Sequence, residues 1–256
     1  MKNYFDLTGK VAIVTGASSG LGVQFANALG NQGAKLALVA RRADKLEDVK
    51  KELESKGMEV FTQICDVTDS ESVKTAVSAI VDHYGTVDIL INNAGLGIGE
   101  AADTMSDEVW DRMMKTNIDG VYFFAREVGK IMRKNKYGRI INLGSIHSRV
   151  AMPFSKMMTA YATTKGAVFM MTKALANEWA REGITVNAIG PAYFESEMTS
   201  DILKAEEFTK ILDTYCPMGR AGKAGELDGA IIYFASDAST YTTGQLLNID
   251  GGWTAI

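Results

Sequence analysis

Short apolar runs alternate with stretches of helical period along almost the whole chain, and this alternation limits the fold more than any other feature. The runs are Lys10–Thr15 (KVAIVT), Lys35–Ala40 (KLALVA), Val60–Ile64, Val87–Ile91 (VDILI), Gly138–Leu143 (GRIINL), Ile184–Ile189 and Leu246–Ile249. Each has the length of a strand, and all but the last few are apolar on both faces. A strand of that kind needs cover on both sides, which parallel sheets obtain from flanking helices. Helical periodicity fills the gaps at Leu21–Gln32, Ala43–Lys56, Ser70–Tyr84, Ser106–Arg133, Thr159–Arg181 and Gly225–Ser236. Asp69 stands as an N-cap before SESVKTAVSAIVDHY. Ser106-Asp107-Glu108 places acids in a first turn, where the helix dipole favours them. The pattern predicts an α/β fold with a doubly wound parallel sheet of about seven strands, in three αβα layers.

No Pro/Ser-rich linker, charge block or repeat of 20–50 residues divides the chain, which predicts one domain over residues 1–256. The exception to the alternation is about 193–219, a weaker helical pattern (SDILKAEEFTKILDTY) after a strand. An excursion of this length at the carboxyl end of a strand reads as a substrate loop.

Several function classes fall away. Lys+Arg number 27 against 31 Asp+Glu, a net charge of −4 that offers no footprint for nucleic acid. No apolar run approaches the roughly 18 residues of a membrane span, and the opening MKNYFDLTGKVAIVTG does not read as a signal peptide. Two cysteines, Cys65 and Cys216, make no disulfide framework and suit a reducing cytoplasm. His83 and His147 lack CxxC or HExxH spacing, so no metal site is expected. His83 reads as a solvated helix end.

The first strand runs into Thr15-Gly16-Ala17-Ser18-Ser19-Gly20-Leu21-Gly22 and then a helix. A helix N-terminus offers N–H groups and a partial positive charge to a phosphate, and glycine lets the backbone approach it. On the first βα unit this is the context of a Rossmann-type dinucleotide site. Gly16-Ala17-Ser18-Ser19-Gly20 also matches GxSxG, the nucleophile elbow of serine hydrolases. That chemistry needs preceding strands and an oxyanion loop; here one strand precedes Ser18 and no HGGG-like segment exists.

The spacing TGxxxGxG resembles the short-chain dehydrogenase/reductase family, and the resemblance covers nearly the whole chain. Asn92-Asn93-Ala94-Gly95 resembles the family's NNAG, Asn117 in KTNIDG its helix asparagine, and Tyr161-Ala162-Thr163-Thr164-Lys165 its YxxxK. Ser145 closes the fifth strand and Gly190-Pro191 follows the sixth. Asp66-Val67 resembles the family's adenine-contacting pair. The family's PGxxxT stands here as Pro191-Ala192-Tyr193-Phe194-Glu195-Ser196, in which Ser196 keeps a hydroxyl for the nicotinamide carboxamide. The resemblance implies a dinucleotide site made by Gly16, Ser18, Ser19, Gly20, Leu21, Gly22, Asp66, Val67, Asn93, Ala94, Gly95, Tyr161, Lys165, Pro191, Phe194 and Ser196.

Cofactor choice turns on the residue after the second strand. An acid there hydrogen-bonds a ribose 2′-OH, whereas an arginine pairs a 2′-phosphate. The chain reads LVARRADKL, so Arg41, assisted by Arg42, predicts NADP(H).

Tyr161 and Lys165, four apart on one predicted helix, lie on one face. A tyrosine of pKa about 10 is a poor acid/base near neutrality. A neighbouring ammonium together with a cationic nicotinamide ring is expected to lower that value. Ser145 would polarise the substrate carbonyl. The resemblance adds that Lys165 holds the nicotinamide ribose and that Asn117 positions a water. It implies an oxidoreductase that interconverts a secondary alcohol and a ketone.

His147, two residues past Ser145, and Tyr193 are expected at the substrate. Met152, Met157, Met158 and Met198 suit an adaptable apolar pocket, while Arg149, Lys156 and Arg220 are candidates for a carboxylate. The segments GPAYFESEM and IDGGWTAI look most similar to gluconate 5-dehydrogenase-like members, reducers of 5-ketogluconate or a related sugar acid. Hydroxysteroid dehydrogenases and 3-oxoacyl-[acyl-carrier-protein] reductases share the catalytic motifs and stay open. So does a non-catalytic dinucleotide-binding regulator, although such proteins lose the tyrosine or lysine. By resemblance a homotetramer is expected, built on the two long apolar helices.

Overall fold

The structure, a computed structural model, describes residues 3–152, 157–194, 199 and 203–255. Seven strands form one sheet: β1 (Val11–Thr15), β2 (Lys35–Ala40), β3 (Val60–Ile64), β4 (Ile89–Asn92), β5 (Gly138–Leu143), β6 (Ile184–Pro191) and β7 (Leu246–Ile249). Their order is β3-β2-β1-β4-β5-β6-β7, and every neighbouring pair is parallel. The Rossmann-type three-layer expectation therefore holds. The chain winds outward from β1 to β3, returns to β4 beside β1, and winds outward again. That reversal opens a crevice at the carboxyl ends of β1 and β4.

Alternate residues of each central strand feed opposite cores. Ala12, Val14, Leu36, Leu38, Ile89 and Ile91 pack with α1 (Gly20–Asn31), α2 (Ala43–Ser55) and α8 (Asp228–Ala235) through Phe25, Leu29, Leu46, Ile231 and Phe234. Val11, Ile13, Ala37, Val39, Leu90 and Ile140 pack on the other side. Their partners are Val73, Ile80, Phe124, Val128, Leu175 and Trp179 of α3 (Ser70–Tyr84), α5 (Gly120–Asn135) and α6 (Thr159–Trp179). Each large apolar side chain buried this way contributes about 1.5–3 kcal/mol, which holds the strand ends in place beneath the crevice. The edge strand β3 departs from the two-faced pattern, with Ile64 58% exposed.

Asp69 caps α3 as expected, its carboxylate accepting from Glu71 N–H at 2.9 Å. Ser106 caps α4 (Asp107–Met114), accepting from Val109 N–H at 3.3 Å. The single helix expected over Ser106–Arg133 is divided: α4 is followed by a π-turn at Lys115–Asp119 and then α5. A widened turn of this kind swallows one extra residue without breaking the apolar stripe, so periodicity alone does not register it. The helix expected from Gly225 begins only at Asp228, because Gly225 has φ +89° and lies outside the helical region. The predicted loop about 193–219 contains α7 (Glu206–Tyr215). Its Phe208 and Leu212 form a small core with Cys216 and Trp253. Among the described residues no helix is long and apolar enough to cross a membrane.

Candidate active site

The crevice is built first by close backbone approach. Gly16 has φ +67°, and a Cβ there would lie 2.9 Å from Ala94 Cα. A Cβ on Gly22, inside α1, would fall 2.4 Å from the Gly16 carbonyl oxygen. Glycine at both positions lets α1 and the loop press against the end of β4. Thr15 and Asn93 then tie the two strand ends. The Thr15 hydroxyl accepts from Asn93 and Ala94 N–H, each at 3.0 Å, and Asn93 Nδ2 donates to Thr15 O at 2.8 Å.

The resulting cleft holds about 450 Å³. Gly16, Ser18, Ser19, Gly20 and Leu21 form one wall, and Arg41, Arg42, Asp66 and Val67 close one end. Asn93, Ala94 and Gly95 lie along its floor, with Tyr161, Lys165, Pro191 and Phe194 at the other end. One continuous space thus gathers most of the residues singled out from sequence. Gly22 stands behind this wall as a packing glycine. Ser196, with Met198 and Lys156, lies outside the described residues.

At the arginine end, Ser19 occupies the N-cap of α1 without capping it through its side chain. Its hydroxyl instead accepts from Arg42 Nη2 at 2.7 Å, and Ser18 Oγ accepts from Arg42 Nε at 3.2 Å. Arg41 and Arg42 are both exposed on the rim. Hydroxyls, helix N-terminus and two guanidinium groups form a donor-rich cradle, which fits a dinucleotide carrying an additional phosphate. Asp66 takes a turn-making role, its carboxylate accepting from Thr68 N–H at 3.0 Å and Thr68 Oγ1 at 2.9 Å.

At the opposite end, Ser145 is buried just past β5, with its hydroxyl beside the Tyr161 phenol. Tyr161 and Lys165 rise from one face of α6, as their spacing predicts. Without the nicotinamide ring, burial sets the electrostatics of the pair. Burial pushes the Tyr161 phenol up to about 12, opposed by the Ser145 hydrogen bond and reinforced by nearby Tyr193. Burial also brings the Lys165 ammonium down to about 8. Lys165 Nζ donates to the Leu143 carbonyl at 2.7 Å and lies 5.6 Å from the Tyr161 ring centre. Desolvation is the largest influence on the phenol, so without a cofactor the tyrosine is a proton donor and not a phenolate.

The lysine's burial gives a test in stability. The unfolded chain holds this proton up to the usual 10.5, whereas the folded chain releases it near 8. Between those values the unfolded state binds more protons, so this group's contribution makes stability rise with pH. Urea unfolding of wild type minus Lys165→Met is expected to show that rise between pH 8 and 10. A difference independent of pH contradicts the assignment.

Asn117 sits fully buried in the π-turn. Its Oδ1 accepts from Leu96 N–H at 2.9 Å, and its Nδ2 donates to Leu96 O at 2.8 Å and Thr164 Oγ1 at 3.0 Å. The side chain therefore fastens the segment after Gly95 to α6. His147 is buried with Nδ1 3.3 Å from Val150 O, and its ring meets Tyr161 edge-on at 6.0 Å. Burial holds it below the usual histidine range, hence neutral. Tyr193 packs on Phe208 at 4.6 Å and Trp253 at 5.5 Å, away from the cleft wall. Arg220 is clamped to Glu226 by contacts of 2.8 and 2.7 Å, and Arg149 lies 5.1 Å over Phe169. Met152 packs against the α7 cluster, while Met157 is 52% exposed. His83, read as solvated, is exposed but stacks on Phe61 at 4.4 Å.

Sequence reasoning passed over Arg112 and Thr116, which also line the cleft. They lie one turn apart, but five and one residues before Asn117, offsets that do not share a helical face with it, so spacing carried no signal for them.

Comparison with known proteins agrees with this geometry. Residues 16–254 match the family described as enoyl-(acyl carrier protein) reductase. A gluconate 5-dehydrogenase of Gluconobacter oxydans is 39% identical over 250 residues, covering 98% of this chain and 96% of that protein. An L-tagatose-forming galactitol 2-dehydrogenase of Cereibacter sphaeroides is 38% identical, covering 99% and 98%. The crystal structure of a gluconate 5-dehydrogenase from Burkholderia cenocepacia, in complex with NADP and tartrate, superimposes with a TM-score of 0.95. It is 35% identical and covers 99% of this chain and 98% of that one. With the parallel sheet, the glycine-lined cleft and the Ser145–Tyr161–Lys165 group in place, the chain belongs to the short-chain dehydrogenase/reductase family of oxidoreductases.

Proposed function

We propose that this protein is an NADP(H)-dependent oxidoreductase that reduces a ketone of a sugar acid, 5-ketogluconate or a close relative, to the secondary alcohol. The observation that carries this reading is the single cleft joining the Arg41/Arg42–Ser18/Ser19 cradle to Tyr161 and Lys165. Gly16, Ser18, Ser19, Gly20 and Leu21 hold the pyrophosphate, Arg41 and Arg42 the 2′-phosphate, and Asp66 and Val67 the adenine. Asn93, Ala94, Gly95, Pro191, Phe194 and Ser196 complete the nicotinamide side. The bound cofactor supplies the hydride that the carbonyl carbon receives.

The remaining work belongs to the chain. Ser145 donates a hydrogen bond to the substrate oxygen, polarising the carbonyl. Tyr161, protonated at neutral pH, delivers its proton to that oxygen as the alkoxide forms. Lys165 orients the nicotinamide ribose, and when it leaves Leu143 O its charge supports the phenolate left behind. Asn117 keeps the floor of the site fastened to α6. His147 bounds the substrate space beyond Tyr161.

The relatives' names support a polyhydroxylated substrate. One domain over residues 1–256 carries this activity, with about 193–219 as the substrate loop. We place it in the cytoplasm, since Cys65 and Cys216 are both free thiols. A homotetramer is the assembly we expect, with Tyr122 of α5 and Met170 of α6 exposed for contact. Following NADPH absorbance with 5-keto-D-gluconate, L-tagatose, a steroid ketone and a 3-oxoacyl thioester tests the substrate class. Fastest turnover is expected with 5-keto-D-gluconate. A preference for the steroid or the thioester overturns the substrate assignment, and no NADPH oxidation with any of them overturns the enzyme reading.

A further inference from the structure

The chain beyond β5 carries three successive backbone polar groups into the reaction centre, and each has a specific partner. Leu143 O accepts from Lys165 Nζ at 2.7 Å, and Gly144 N–H donates to Ile189 O of β6 at 2.8 Å. Ser145 N–H donates to the side-chain hydroxyl of Ser148 at 3.2 Å. The relation is reciprocal, because Ser145 Oγ accepts from His147 N–H at 3.2 Å and Ser148 N–H donates to Ser145 O at 2.9 Å. Residues 145–148 thus form a capping box around one 3₁₀ turn, Ile146–Ser148.

Two consequences follow for the Ser145 hydroxyl. One of its lone pairs is committed to the turn, which leaves its proton free to point away from the turn, toward the Tyr161 phenol. Its backbone is held fully extended at φ −169° and ψ 166°, in line with β5. Gly144 gives this closure room, since a Cβ there would lie 3.0 Å from both Ser148 Oγ and Ile189 O. Ser148 itself does not line the cleft.

We infer that Ser148 is a positioning residue for the reduction, acting through Ser145 by holding its amide and thereby the direction of its hydroxyl. This rests on the role of Ser145 in the function proposed above. Removing the Ser148 hydroxyl leaves the buried Ser145 N–H without its partner and frees the turn to rotate. A misplacement of even a fraction of an ångström at a polarising group costs rate and leaves cofactor binding alone.

The test is a mutant cycle with 5-keto-D-gluconate at saturating NADPH. Ser148→Ala is expected to lower kcat about tenfold with the KM for NADPH unchanged, and Ser148→Thr to restore it to within about twofold. Ser145→Ala is expected to lose about 10²-fold. Adding Ser148→Ala to Ser145→Ala is expected to cost no more than about twofold further, because the two act as one unit. Amide exchange at Ser145, read without substrate, is expected to quicken about tenfold in Ser148→Ala.

Full kcat in Ser148→Ala, unchanged exchange at Ser145, or the same tenfold loss in the Ser145→Ala background overturns the inference. If Ser145→Ala keeps wild-type rate, the function assigned to Ser145 fails and this inference with it. If only Ser145→Ala loses rate, this inference alone fails. Should Ser148→Ala not fold, Ser148→Cys, of similar size but a poor acceptor, takes its place with the same expected outcomes.

Discussion

Tyr161→Phe is expected to reduce ketone turnover by about 10³-fold, the scale of a lost general acid, while NADPH binds within about twofold of wild type. The ring stays, so packing against His147 is kept, and only the hydroxyl next to Ser145 is lost. Because burial pushes that phenol up to about 12, reduction at neutral pH begins with the proton already on the donor. Alcohol oxidation needs the phenolate, so its rate is expected to climb with pH across the alkaline range, while reduction changes little there. Stopped-flow NADPH oxidation, with cofactor binding followed separately by fluorescence, measures both parts. A variant that keeps more than about a tenth of wild-type turnover would remove Tyr161 from the proton transfer.

The double variant Arg41→Ala/Arg42→Ala is expected to weaken NADPH by about 10²-fold and NADH by no more than about threefold. Two charge-assisted hydrogen bonds to a phosphate contribute about 1.5 kcal/mol each, together about 3 kcal/mol. Of the two, Arg42 is the more firmly placed, since its guanidinium spans Ser18 and Ser19 across the loop. Arg42→Lys is therefore expected to recover only part of the affinity, because a single ammonium cannot make the forked contact. Titration of both cofactors by calorimetry decides the matter. Equal weakening of NADPH and NADH would show that the arginines serve the pyrophosphate or the loop and not a 2′-phosphate.

Much of the cleft was legible before any coordinates. Gly16, Gly20 and Gly22 read as a loop that must let backbone come close, and the structure supplies the contact, Ala94 beneath Gly16 and Gly16 O beneath Gly22. The four-residue spacing of Tyr161 and Lys165 placed them on one face of α6. The π-turn was not legible, because one extra residue in the short, mostly polar run Lys115–Asp119 leaves no mark on helical periodicity. Nor was the fate of Tyr193, whose position after Pro191 suggested substrate contact while its ring packs into the α7 cluster. The expected acidification of Tyr161 joins Lys165 to a cationic nicotinamide ring, and how far burial opposes the pair is not a property of their spacing. In the fold both are desolvated, and the amine is drawn to a carbonyl one strand away.

Layer architecture, strand directions and the groups that meet at the switch point were readable from the residues alone. The first two follow from periodicity and chain direction, which are local properties, and the groups from motifs that resemble those of the short-chain dehydrogenase/reductase family. Only the tertiary structure decided how the groups are charged and aimed: a protonated Tyr161, a Lys165 resting on Leu143, an Arg42 bridging two serines, and a Ser145 held by Ser148. Burial and hydrogen-bond partners depend on residues that are distant along the chain and adjacent only in the folded molecule, and these set the protonation and orientation on which the chemistry turns.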